Sequence, residues 1–394
     1  MINETYKHMI GEKSVIREIA ETASARRREI GAGNVFDFSL GNPNVPVSPA
    51  FTKAMMDLYA NTDSQTLHGY SPSTGNMAFR ERIADSLNRR FGMQYEAKHI
   101  FPVSGATAAL AHALRAVTMM GSEVITFAPF FPEYRPYAQA CGASLTVLNS
   151  DPDTFQIDFE ALESTINEGT AAVLINTPNN PSGAVYSEDT LRRLGELLER
   201  KQREFDHDIF LISDEPYREI VFDGASQPYP SKYYRNTLSC YSFSKSLSIP
   251  GERIGYVAIH PEATDADLLA VIFAQISRTI GHNCPSSSMQ LAIAEIPDAT
   301  SELGVYETNM NLLYDALVDL GFTVTRPGGT FYIFPRTLEP DAVSFCKKAM
   351  DYDLFMVPSN SFGMPGFMRL SYCMETAQVE AGIERLAKFV RENY

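Results

Sequence analysis

Ser242-Phe243-Ser244-Lys245-Ser246-Leu247-Ser248-Ile249-Pro250-Gly251-Glu252-Arg253-Ile254-Gly255-Tyr256 sets one lysine among small hydroxyl residues, with an arginine eight positions later that has a glycine on either side. A lysine that captures a carbonyl as a Schiff base must sit where its neighbours depress its pKa. Serine hydroxyls and a guanidinium are the groups that hold a phosphate dianion. An aldehyde for the lysine and a phosphate for the rest meet in one small molecule, pyridoxal 5'-phosphate (PLP). The segment also lies between two β-rich runs, Leu238–Phe243 and Gly255–Ile259.

Working outward from it, further runs of the same kind occur at Ile100–Val103, Glu123–Phe127, Ser144–Leu148, Ala172–Asn176 and Ile209–Ser213. Several are nearly continuous in Val, Ile, Leu and Phe, as strands covered on both faces must be. Between them, Ala106–Met119 carries apolar residues on a helical period and Ser187–Arg203 opens on a Ser-Glu-Asp start signal. This alternation predicts an α/β fold with a mostly parallel seven-stranded sheet, and functional residues in the loops at strand carboxyl ends. After Gln290 the pattern becomes α+β: a helix over Ser301–Leu320, short strands at Thr323–Arg326 and Thr330–Phe334, then Ala342–Tyr352, a strand near Met368–Tyr372 and a closing helix Thr376–Glu392. We therefore expect a large domain over 45–289 and a small one from 1–44 and 290–394, the helix near Val15–Ile30 joining the latter.

The bulk numbers exclude several classes. Apolar residues at 44% and charged residues at 21% are ordinary globular values. A net charge of −15 speaks against a nucleic-acid or anionic-membrane surface. Arg26-Arg27-Arg28 is surrounded by acidic residues and reads as a solvated helix face. Met1 to Ala20 is charged throughout, unlike a signal peptide. No stretch approaches the ~18 apolar residues of a membrane span. Five scattered cysteines without CxxC spacing suit free thiols in a reducing cytoplasm, and seven dispersed histidines offer no metal site.

The loops after the candidate strands hold the rest of a cofactor site. Ser104-Gly105-Ala106-Thr107 opens a helix, whose free N–H groups and dipole favour a phosphate. Pro129-Phe130-Phe131-Pro132-Glu133-Tyr134 offers aromatic faces for a flat ring. Asn176-Thr177-Pro178-Asn179-Asn180-Pro181-Ser182-Gly183 follows the fourth run, and Pro181 brings a cis peptide within reach. In Ile212-Ser213-Asp214-Glu215-Pro216-Tyr217 a carboxylate leaves a buried strand and needs a partner. A pyridinium nitrogen supplies one, and Asp214 keeps it protonated so that the ring draws electrons. Glu215 reads as structural or solvent-facing. Ser242, Ser244 and Arg253 would hold the phosphate, with Arg253 lowering the proton affinity of Lys245. In Met368-Arg369-Leu370-Ser371-Tyr372 the guanidinium fork suits an α-carboxylate.

Taken in this order, from the Val15–Ile30 helix to Arg369, these segments resemble the class I/II aminotransferases, the fold-type I PLP enzymes, and within them the aspartate-aminotransferase-like chains. The resemblance implies that Lys245 forms the Schiff base and shuttles the proton, that Phe131 stacks on the pyridine ring, and that Asn180 and Tyr217 reach its phenolic oxygen. It also implies a substrate contact from the Gly41 backbone, in Leu40-Gly41-Asn42-Pro43-Asn44-Val45-Pro46, beside Asn180 and Arg369. Tyr70, in His68-Gly69-Tyr70-Ser71-Pro72-Ser73-Thr74-Gly75, would reach the phosphate of a neighbouring subunit, making a homodimer with shared sites. Arg278 falls where some aspartate-specific relatives keep an arginine, which leans the expectation toward dicarboxylic substrates. Two departures stand out: Ala106 replaces a frequent hydroxyl residue, and the chain has no tryptophan, leaving Phe131 as the stacking residue. The implied reaction is ping-pong transfer of an amino group from an amino acid to a 2-keto acid. A PLP-dependent carbon–sulfur β-lyase is the alternative on the same scaffold. A PLP-sensing regulator that binds without turnover is the alternative of another class, disfavoured by the missing DNA-binding extension.

Overall fold

In this computed structural model, residues 2, 7, 14–222 and 227–394 are described. The first strand, β1 (Phe36–Asp37), belongs to a small pair, and the next seven build the central sheet. These are β2 (Ile100–Val103), β3 (Glu123–Ala128), β4 (Ser144–Asn149), β5 (Thr170–Asn176), β6 (Phe210–Asp214), β7 (Thr237–Ser242) and β8 (Gly255–Ile259). They lie in the order β2-β8-β7-β6-β5-β3-β4. Only β8 runs against its neighbours. The carboxyl ends of β2, β3, β5, β6 and β7 therefore share one edge of the sheet.

Alternate side chains of the inner strands feed two different cores, as the twofold strand period requires. Ala172, Leu174, Ile212 and Val257 pack with Ala109, Leu110, Ala113 and Leu114 of the helix Ala106–Val117. Val173, Ile175 and Leu211 pack on the other side with Leu191, Leu194 and Leu198 of the helix Glu188–Phe205. That second helix starts where the sequence predicts, at a Ser187 N-cap whose hydroxyl accepts the Thr190 N–H at 3.0 Å.

A further core forms around β9 (Tyr332–Ile333), β10 (Leu354–Phe355), β11 (Val357–Pro358) and β12 (Met368–Ser371). β12 lies antiparallel between β11 and β9, while β10 pairs parallel with β1. The helices Gly304–Asp319 and Thr376–Asn393 cover it with Leu313, Leu317, Leu386 and Phe389. The strand predicted over Thr323–Arg326 does not form. Pro327 has no N–H to extend a ladder, and the segment makes no ladder beyond one bond from the Arg336 N–H to the Thr323 carbonyl at 2.9 Å. The helix Val15–Ile30 packs against β10 and β11, and its Ile19 and Ala23 share an apolar cluster with central-sheet strands as well as with Phe355 and Val357. Glu215 is no surface residue: it is fully buried, and its carboxylate pairs with Arg218 at 2.7 Å.

Candidate active site

The loops leaving the shared sheet edge, together with β9, β12 and the segment around Gly41, enclose a cavity of about 290 Å³. Of the residues singled out from the sequence, Gly41, Ala106, Phe131, Asn180, Asp214, Tyr217, Ser242, Ser244, Lys245, Arg253 and Arg369 all line it.

Lys245 projects from the four-residue helix Phe243–Ser246, which begins directly after β7. Ser242 caps that turn by accepting the Ser244 N–H at 3.2 Å. The ammonium of Lys245 donates to the Gly41 carbonyl at 2.7 Å and lies 5.3 Å from the centre of the Phe331 ring. Burial is the main force on this amine and brings it down to about 8, with Arg253 and Arg369 pushing the same way against Cys373. The sequence had assigned that effect to Arg253; desolvation outweighs it.

Asp214 is the last residue of β6 and lies in register with Asn176, the last residue of β5. Asn176 Nδ2 donates to the Asp214 carbonyl at 2.8 Å, and the Tyr134 hydroxyl donates to Asp214 Oδ2 at 2.6 Å. Asp214 Oδ1 is buried with no hydrogen-bond partner among the described residues. Burial pushes this carboxyl up to about 7, and the Tyr134 hydrogen bond holds it back. A buried carboxylate oxygen without a donor is costly. The site thus presents an acceptor waiting for a cationic N–H.

Opposite chemistry gathers at the Arg253 side. The Ser242 and Ser244 hydroxyls are 2.7 Å apart. Arg253 reaches Ser244 Oγ at 3.4 Å, the Pro250 carbonyl at 2.9 Å and the Ser104 carbonyl at 3.2 Å. Gly105, at φ 86°, lets the helix Ala106–Val117 start against this guanidinium, because a Cβ there would stand 2.7 Å from Arg253 Nη2. Two hydroxyls, a guanidinium and a helix N-terminus form a cradle for a dianion.

Arg369, on β12, is 2% exposed. It donates to Asn180 Oδ1 at 3.0 Å and to the Ser39 carbonyl at 2.5 Å, while its Nε has no partner among the described residues. Asn180 is held in turn by its own N–H to Asn176 Oδ1 at 2.7 Å, and the Asn180–Pro181 peptide is cis. Phe131 is half-buried on the cavity wall, edge-on to Tyr134. The Tyr217 hydroxyl faces that of Tyr332 at 3.4 Å.

Three expected groups stand apart. Ser104 and Gly105 support the wall from behind rather than lining it. Tyr70 is fully exposed, beside a separate surface depression shared with Asn283 and Cys284. Arg278 occupies an exposed position of the helix Ala266–Ile280 and does not line the cavity. Sequence reasoning passed over Tyr134, Asn176, Thr107, Ile16 and Tyr332. Tyr134 and Asn176 were inside quoted motifs, but Asn176 meets Asp214 only through the register of β5 on β6, and Tyr134 only because the helix Tyr134–Gln139 after β3 brings it there. No His/Cys/Asp/Glu cluster suited to a metal occurs among the described residues, and no described helix is long and apolar enough to cross a membrane.

Residues 33–386 match the family "Aminotransferase class I and II". The chain belongs to this family. It is accordingly a transaminase, and its fold is that of the aspartate aminotransferases. An aspartate aminotransferase of Geobacillus stearothermophilus is 28% identical to it over 395 residues, spanning 94% of this chain and 95% of the relative. A probable N-acetyl-LL-diaminopimelate aminotransferase of Bacillus subtilis is 26% identical, over 98% of this chain and 96% of its own length. Among solved structures, an amino transferase from Eubacterium rectale superposes with a TM-score of 0.96 at 41% identity over all of both chains.

Proposed function

We propose that the cavity binds PLP and that the protein moves an amino group between an L-amino acid and a 2-keto acid by ping-pong turnover. The observation that carries this reading is the partnerless Asp214 Oδ1, buried in the same cavity as an amine held near neutrality at Lys245. The residues fit the cofactor at both ends. Asp214 suits a protonated ring nitrogen, and Ser242, Ser244, Arg253 and the helix start at Ala106 suit the phosphate. Phe131 serves as stacking face, with Asn180 and Tyr217 as donors to the phenolic oxygen.

When bound, PLP supplies an electron sink and stores the amino group between half-reactions. The chain's own residues do the rest. Arg369 takes the α-carboxylate, a task its unpartnered Nε supports. Lys245 would anchor the cofactor and, as a free amine, would be the base that accepts the α-proton and the acid that gives it back. The Gly41 carbonyl orients Nζ for that transfer.

The active unit in this reading is a homodimer in which Tyr70 of one chain completes the phosphate site of the other; the exposure of Arg253 in the single chain supports it. Five free cysteines agree with a cytoplasmic setting. Domain limits of 45–289 and 1–44 with 290–394 go with it.

Dicarboxylic amino acids are the first substrate reading, supported by the names of several relatives. The cations lining the cavity are Lys245, Arg253 and Arg369, each already assigned, so a side-chain carboxylate depends on Arg278 from the second chain. That arrangement equally favours a neutral side chain if Arg278 plays no part. Arg278→Ala separates the two: a loss of kcat/KM for aspartate with alanine unchanged supports the dicarboxylic reading, and equal rates support the neutral one.

The test of the reaction itself is to add PLP, reduce with borohydride and map the label, then follow the cofactor spectrum with each amino acid plus 2-oxoglutarate. A label at Lys245 and keto acid without free ammonia are expected. Absence of a label overturns PLP binding; pyruvate and ammonia from cysteine-type substrates would replace transfer with β-elimination.

A further inference from the structure

We infer that Tyr332 is a positioning residue with two separable parts, its ring fixing the Arg369 guanidinium and its hydroxyl accepting the Tyr217 hydroxyl proton. This rests on the roles proposed above for Arg369 and Tyr217.

Tyr332 opens β9 and stands in register with Ser371 of β12. Arg369, two residues back along β12, is its diagonal neighbour on the same face, within reach of an aromatic side chain. The guanidinium carbon of Arg369 lies 4.4 Å from the centre of the Tyr332 ring. Two edges of that guanidinium are tied to Asn180 and Ser39. The ring covers its face, leaving Nε as the group without a protein acceptor among the described residues. A buried cation over an aromatic ring is stabilised without any anion that would compete with a substrate carboxylate.

The other end of Tyr332 meets Tyr217. The hydroxyls are 3.4 Å apart and the rings edge-on at 5.8 Å and 80°. Asp214 and Arg369 are the charged groups that act on Tyr217, and Arg369 and Cys373 those that act on Tyr332. The Tyr217 hydroxyl donates to that of Tyr332, so Tyr332 holds the proton that Tyr217 would otherwise offer to the phenolic oxygen. Gly41 completes the arrangement. A Cβ at Gly41 would stand 1.7 Å from the Tyr332 hydroxyl oxygen, so only glycine lets this backbone pass close enough to offer its carbonyl to Lys245. Tyr332 thereby touches the supports of the carboxylate, phenolic and proton-transfer ends of the site.

Tyr332→Phe keeps the ring and removes the hydroxyl; Tyr332→Leu removes both. Propionate binding to the cofactor-free chain, by calorimetry, reads the ring. We expect Y332F to bind like wild type and Y332L to bind about 2- to 30-fold more weakly, the range for a cation over an aromatic face. With PLP bound, the pH midpoint of the cofactor's absorbance change reads the hydroxyl and should fall by a few tenths in both variants, because Tyr217 is then free to donate to the phenolic oxygen. Y332L binding like wild type, Y332F binding as weakly as Y332L, or an unchanged Y332F midpoint would each overturn the inference. Should Y332L fail to fold, the Y332F midpoint still decides. A wild-type chain that forms no cofactor band sinks the proposed function instead, and the propionate measurement then judges the ring alone.

Discussion

Burial drives Lys245 and Asp214 toward neutrality from opposite directions, the amine down to about 8 and the carboxyl up to about 7. The consequences for stability have opposite signs. Between about 8 and the ordinary 10.5, unfolded Lys245 binds a proton that the folded residue does not, so its contribution to stability grows as pH rises through that window. Between the ordinary 3.8 and about 7, folded Asp214 holds the extra proton, so its contribution shrinks as pH rises. Thermal denaturation of the cofactor-free protein across pH should show both slopes, with Lys245→Met abolishing the first and Asp214→Asn the second. Arg369 gives a sharper chemical test. Arg369→Lys keeps the charge but loses the planar fork, and we expect kcat/KM to fall about 10- to 100-fold, the worth of a charged hydrogen bond or two. Steady-state kinetics on amino acids checks it, and near-wild-type turnover would remove Arg369 from the carboxylate role. Lys245 and Asp214 could be singled out from the sequence because each stands in unusual company: a lysine among hydroxyls, a carboxylate ending an apolar run.

At the scale of elements, the junction of β2 with the helix Ala106–Val117 is the most exacting. Gly105 adopts φ 86° and ψ 176°, a region open almost only to glycine, and its missing side chain makes room for Arg253. Gly105→Ala should therefore cost about 1–3 kcal/mol of stability through backbone strain. It should also weaken PLP binding more than a remote substitution of equal destabilisation, because the added methyl displaces the Arg253 guanidinium. Denaturant melts and a cofactor titration measure the two effects separately. The inner strands of the central sheet were readable as apolar runs within a residue or two, since both faces are buried and composition alone marks them. Thr323–Arg326 was misread for the converse reason: it has a strand's composition but no neighbour to complete a ladder.

For the molecule as a whole, the single chain leaves Tyr70 fully exposed and Arg253 open at the mouth of the cavity. A second copy that brings Tyr70 to Arg253 would account for both. Sedimentation should give twice the mass of one chain. More tellingly, mixing Lys245→Ala with Tyr70→Ala protein should yield activity above the sum of the two preparations, since mixed dimers would hold one intact site. Strictly additive activity would show that each chain keeps its own site. No sequence pattern settles this, because a surface tyrosine looks alike whether it meets water or a partner.

The order of motifs along the chain was sufficient for the fold class and the family, and it singled out an amine, a carboxylate and a guanidinium that line one cavity, because those depend on residue type and on local periodicity. Tertiary structure alone decided which neighbours hold them. Asn176 reaches Asp214 through strand register and Tyr134 from the helix after β3, Tyr332 reaches Arg369 across a diagonal strand pair, and the Gly41 carbonyl reaches Lys245 from more than two hundred residues away. Such contacts arise from the packing of distant segments, and short-range sequence carries no record of the direction in which a side chain finally points.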